Sequence, residues 1–272
     1  MAKKHIIKTA ALLAACFLAL SACKFIPFEN PEEQKQRQME AELARQEKPA
    51  LDAGQMLLES RTLSRQLENQ AGLTLASYSA LMPLFLVEEE YGVIFQRIND
   101  YYDTEFAALE DECDSFFETV KKTYGEEWIM LETIESPFEI SYTYSLLDSP
   151  PKFICVQKTY VYSDNRGGGY TSWFPDVFLA ETGWRLSFAE LFGHNADKAE
   201  ALLMEEIARW CEANTVPCEN LPGLKASDFT GYYAIDANYL IFYAAPYMLS
   251  TNNDKPYEIK LVIDDFEGLF IK

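Results

Sequence analysis

The spacing of hydrophobic residues changes several times along the 272-residue chain, and each change marks an element. An apolar run from Ile6 to Leu20 follows Lys3, Lys4 and Lys8 and is too short for a mature bilayer-spanning helix, which takes about 20 residues. Residues 24–50 carry many Glu, Gln, Lys, Arg and Pro and few large apolar groups, the composition of a solvated tether. Leu57, Leu58, Leu63 and Leu67 fall near helical spacing and predict a short helix within 51–70, ahead of Gly72. Over 73–87 the pattern is strand-like, and Pro83 puts that strand at an edge or a bend. Ile94, Ile98, Tyr102, Phe106, Leu109, Cys113, Phe116 and Val120 then recur three or four residues apart with acids between them. They predict a long amphipathic helix with Cys113 on its core face.

Three aromatic and β-branched segments follow at 138–147, 152–163 and 170–179. The turn signals Asp148-Ser149-Pro150-Pro151 and Asp164-Asn165-Arg166-Gly167-Gly168-Gly169 separate them, which predicts an antiparallel meander. Ser187 and Glu190 have capping-box spacing ahead of a short helix ending at Phe192. A second helix over 196–211 places Ala199, Leu203, Ile207 and Trp210 on one face. Strands at 231–235 and 239–244 flank Asp236-Ala237-Asn238, a last strand covers 257–263, and Asp264 opens a terminal helical turn. Helices gathered around an antiparallel sheet make the fold class α+β, an antiparallel sheet meander with helices packed on it. The expected organisation is a leader at 1–22, tether and short helix at 23–72, and one folded domain at 73–272.

Composition narrows the partners. With 49% hydrophobic and 14% aromatic residues the chain can bury a good core. Its formal charge is -20, and residues 1–22 hold three lysines and no acid, so the chain without them carries about -23. Such an excess repels nucleic acid and anionic lipid and favours cationic partners. Leu20-Ser21-Ala22-Cys23 has the form of a bacterial lipobox. It predicts cleavage before Cys23, with the freed cysteine carrying a diacylglyceryl anchor in the membrane. The expected location is the cell envelope, and Lys24 resembles the pattern for release to an outer membrane in a diderm cell.

Cys16 leaves with the leader, and Cys113, Cys155, Cys211 and Cys218 remain in the body. An oxidising compartment makes disulfides the default. Cys211 and Cys218 bracket a short Pro-containing loop and are expected to pair, which leaves Cys113 with Cys155. Zinc spacing is absent and the body has one histidine, His194, read as a surface residue near a helix start.

No HExxH, GxSxG, phosphate loop or CxxC occurs. The acidic groups Glu88-Glu89-Glu90, Glu110-Asp111-Glu112 and Asp264-Asp265 are expected to be solvated faces, so no catalytic residue, metal or cofactor is assigned. Calcium at 163–169 or at Asn252-Asn253-Asp254 lacks the loop pattern that ion uses. The three glycines at 167–169 lie between strands and predict a flexible hairpin rather than a phosphate cradle. Asp164, Asn165, Arg166, Tyr170 and Trp173 around it form the expected ligand-binding surface.

The order of these pieces resembles a known family, the extracellular domain shared by the anti-sigma factor RsiV and the peptidoglycan deacetylase PdaC. The resemblance covers roughly residues 78–270. It rests on the helix opening at Phe95-Gln96-Arg97-Ile98-Asn99-Asp100-Tyr101, on the glycine-rich hairpin, and on Glu181-Thr182-Gly183-Trp184-Arg185-Leu186 with the short helix after it. The closing run from Tyr233 to Tyr243 with Ala245-Pro246-Tyr247 is the other match. It implies a binding or sensory module, and in RsiV that module recognises lysozyme. The expectation is a lipid-anchored, non-catalytic protein that captures a cationic lysozyme-like protein or a cell-wall component. The rivals are a glycan hydrolase using paired carboxylates and a passive structural lipoprotein. A deep cleft with two facing carboxylates separates the first rival from a shallow binding surface.

Overall fold

The structure is a computed structural model, and it describes residues 58–86, 92–229 and 231–271. The leader, Cys23, the tether, residues 51–57 and Glu88-Glu89-Glu90 lie outside the described residues. Five strands form one sheet in chain order: β1 (Leu58–Glu68), β2 (Thr74–Phe85), β3 (Phe138–Leu146), β4 (Phe153–Ser163) and β5 (Gly169–Leu179). The meander over β3, β4 and β5 is antiparallel as expected, and β1 and β2 add a long hairpin. Between them, β2 and β3 run parallel, residues 76–80 against 138–142. A parallel joint needs a crossover element, and α1 (Gly92–Tyr124) supplies it by packing across one face of the sheet. Pro83 lies beyond the stretch of β2 that β3 pairs, where its missing N–H costs no ladder bond on that side.

The two-residue period of the strands sorts the sheet into two faces. On β4, Ile154, Val156 and Tyr160 pack with α1, whereas Cys155 joins the core on the far side. That second core belongs to α2 (Phe188–Phe192), α3 (Ala196–Asn214) and a three-stranded antiparallel sheet of β6 (Tyr233–Ile235), β7 (Tyr239–Ala244) and β8 (Tyr257–Val262). Among the described residues it covers the end of the far face near Cys155, Val177 and Leu179. Ser187 and Glu190 cap α2 reciprocally, with the Glu190 N–H donating to Ser187 Oγ (3.3 Å) and the Ser187 N–H to Glu190 Oε2 (2.8 Å).

Three expectations need correction. Residues 58–68 are a strand, so the fold starts before residue 73. Leu63 and Leu67 are four apart, a spacing that fits a strand face as well as a helix, and the residues alternating with them inward are Arg61 and Arg65. These arginines bind Asp103 and Asp114 of α1 and stack over Phe106 and Phe117, so the inward stripe reads as half polar. Second, Cys113 and Cys155 are not bridged: both are buried free thiols on opposite faces of the sheet, with its backbone between them. Third, one of the three strand joints preceding β5 is parallel rather than antiparallel, because α1 carries the chain back over the sheet.

Gly183, in the turn after β5, has φ +73°, and a Cβ there would lie 2.5 Å from the Ile94 carbonyl oxygen of α1. Gly183→Ala is therefore expected to cost roughly 2 kcal/mol or more, read as a drop in the urea midpoint at unchanged m-value.

Candidate functional site

The β4–β5 hairpin closes on Asp164. Its Oδ1 accepts the N–H groups of Arg166 (2.8 Å) and Gly168 (2.7 Å), and its own N–H donates to the Gly168 carbonyl (2.7 Å). Gly169 is required there because a Cβ would meet the Tyr162 carbonyl oxygen at 2.3 Å. Asn165 Nδ2 donates to Tyr124 Oη (3.1 Å), which ties the turn to the end of α1, while Arg166 is exposed.

The five residues expected to share a surface do not share one. Tyr170 packs with Tyr160 and Tyr162 (centroids 5.7 and 5.6 Å apart) on the α1 side. Trp173 packs on Tyr243 at 5.3 Å on the other side. They are three positions apart on one strand, so the alternation divides them.

A shallow open groove of about 520 Å³ lies at the hairpin end, lined by residues 136, 137, 139, 161–164 and 167–171. Of the expected residues it includes Asp164 and Tyr170, and it adds Glu139, Val161 and Thr171. Its residues Val161 and Thr171 belong to the part of the far face that the second core leaves uncovered. There the register lines up Ser64, Ser79, Ser141, Val161 and Thr171 across all five strands, with Gln66, Ser77 and Glu139 in the next row. This hydroxyl-rich face has a readable signature, the alternation Thr62-x-Ser64-x-Gln66, Ser77-x-Ser79 and Ser141-x-Thr143, which passes for ordinary loop polarity until the strands are paired.

The opposite face buries charge. Asp176 of β5 is 1% exposed and meets Lys158 Nζ (3.0 Å), Arg185 Nε (2.7 Å) and the hydroxyls of Tyr101 (2.9 Å) and Tyr102 (3.2 Å). Lys158 also contacts Glu105 at 2.6 Å. Burial alone would raise the Asp176 pKa, but Lys158 and Arg185 outweigh it and hold the carboxyl below its usual range. Perturbed groups in a cleft mark reactive sites. These are enclosed and mutually satisfied, the arrangement of an internal joint between α1 and the sheet.

No family model and no curated protein matches the chain. Among solved structures, a DUF3298-family protein of Bacteroides fragilis superposes with a TM-score of 0.53 at 10% identity, covering 82% of this chain and 96% of its own. A DUF3298-family protein of Pseudomonas aeruginosa aligns with a TM-score of 0.45 at 9% identity, covering 82% and 95%.

The fold is the DUF3298 fold. DUF3298 is the extracellular domain type of RsiV and PdaC, so the resemblance drawn from the hairpin and the closing strands holds at the level of fold.

In this DUF3298 fold, acidic runs follow their expected solvated role at Glu110, Asp111, Asp264 and Asp265, all exposed. His194 is exposed in the turn between α2 and α3, and among the described residues no three metal-binding side chains are grouped to hold an ion. Glu112 departs from expectation. It turns toward the sheet, where Tyr142 Oη donates to both carboxyl oxygens at 3.0 Å, and burial pushes it up to about 7. The Tyr142 hydrogen bond opposes that rise without cancelling it. The buried Tyr78 hydroxyl beside it opposes the rise as well.

A carboxyl that holds its proton more tightly when folded stabilises the fold while protonated. For Glu112 that contribution is full below about pH 4.5 and is lost as pH rises to about 7. Relative to the parent chain, Glu112→Gln should therefore gain stability between pH 5 and pH 8, measured by urea unfolding at the two ends. A difference that does not change with pH would show that Glu112 titrates normally.

Proposed function

We propose that the chain is a lipid-anchored, non-catalytic binding protein of the cell envelope whose ligand docks on the uncovered half of the five-stranded sheet, beside the 164–168 turn. The observation that carries this reading is the open groove of about 520 Å³ beside the hairpin. Hydrolysis of a glycan needs two free carboxylates facing each other across a cleft. Of the acids lining the groove, Asp164 is held by two backbone N–H groups of its own turn, which favours binding over hydrolysis. The formal charge of -20 supports a cationic protein of the lysozyme kind as the partner. A second reading, a neutral cell-wall glycan, is favoured by the Ser64, Ser79, Ser141 and Thr171 row, where Glu139 is the neighbouring charge.

The test is binding of the full chain in detergent to hen-type lysozyme and to soluble peptidoglycan fragments, at low and at physiological salt. Submicromolar lysozyme binding that persists at physiological salt, and that Glu139→Lys weakens about tenfold or more, is the expected result for a protein partner. Fragment binding that is insensitive to salt and lost in Ser141→Lys is the result expected for a glycan. Failure of both ligands at low salt would overturn the placement of the site.

A further inference from the structure

All four body cysteines carry free thiols in the structure, so the expected Cys211–Cys218 bond is not formed there. On α3 the buried stripe Ala199, Leu203, Ile207, Cys211 ends one turn before Asn214. Thr215 then takes a left-handed conformation (φ 57°, ψ 40°), its N–H reaching the carbonyls of Cys211 and Glu212, and the Val216 N–H also donates to Cys211 (2.9 Å). This reversal returns the chain over the helix end and brings Cys218, half-buried, against the same core that holds Cys211. Burial first, and Cys218 second, push Cys211 up to about 12.

The two residues after Cys218 form a clamp. Glu219 accepts the Ser250 hydroxyl (2.6 Å), the Asn220 N–H donates to the Leu249 carbonyl (3.0 Å), and Asn220 Nδ2 donates to the Tyr247 carbonyl (3.2 Å). The loop held in this way contains Tyr247, 49% exposed at φ 67°, a conformation bulky residues rarely adopt.

We infer that Cys211 and Cys218 are the one disulfide couple of the folded body, and that their bond braces the 247–251 loop through Glu219 and Asn220. The bond joins the two Sγ atoms as two protons and two electrons leave. The oxidant is a disulfide of a thiol oxidoreductase or of glutathione, which is reduced to the corresponding thiols. Cys113 and Cys155 stay reduced because the sheet separates them and both are buried. In the cell this rests on the envelope reading, since only an oxidising compartment keeps the bond.

The test uses the full chain in detergent, treated with oxidised glutathione, alkylated after denaturation and mapped by mass spectrometry. The expected result is a linked peptide pair holding Cys211 and Cys218, with Cys113 and Cys155 alkylated. A Cys113–Cys155 link, or no link at Cys211, overturns the assignment. Hydrogen exchange then tests the brace: the amides of Tyr247 and Met248 should exchange about tenfold more slowly in the oxidised chain, and equal rates would remove it. Failure of the envelope reading is distinguishable, because the chain isolated from cells would be reduced while glutathione would still form the link.

Discussion

A carboxylate shut away from water needs cations within reach, and Asp176 sets that condition for the whole helix–sheet layer. Its partners come from three stretches of chain outside β5: Tyr101 and Tyr102 on α1, Lys158 on β4, and Arg185 after the turn at Gly183. A one-residue slip of β5 against β4 would move Asp176 to the opposite face from Lys158 and take the buried carboxylate away from that cation. The joint therefore selects the register, and with it the position of every residue on the far side of the sheet.

That far side is where the fold is divided between packing and exposure. One end is covered by α3 and the three-stranded sheet, which receive Cys155, Val177 and Leu179. The other end presents small hydroxyl side chains at fixed strand spacing and opens into the groove beside the hairpin. A rigid sheet backed by a long helix loses little conformational freedom when something docks on it, which favours recognition by a preformed surface. The Asp164 turn and the Asn165 contact to Tyr124 hold the hairpin to the same helix that carries the buried joint.

How much was legible in the sequence depends on what each residue does. The helix α1 could be read because its core positions are apolar at regular spacing, and the capping box before α2 because both partners lie three residues apart. The strand β1 could not, since its inward face spends two positions on Arg61 and Arg65 for acids of α1 that only the fold brings near. The same holds for Lys158 and Asp176, which are charges in strands and look exposed until partners 9 to 75 positions away are placed. Glu112 looked solvated for a similar reason, as one acid in a run of three. The hairpin was found as a feature, but grouping Tyr170 with Trp173 ignored the alternation that sends them to opposite faces.

The claim that a buried carboxylate holds helix and sheet in register is tested most directly by equilibrium urea unfolding of Asp176→Asn at neutral pH. The substitution keeps the shape but removes the negative charge that Arg185 and Lys158 face, leaving Lys158 only Glu105, so the account predicts a loss of about 3–5 kcal/mol. A change within about 0.5 kcal/mol, as for an ordinary surface site, would contradict it.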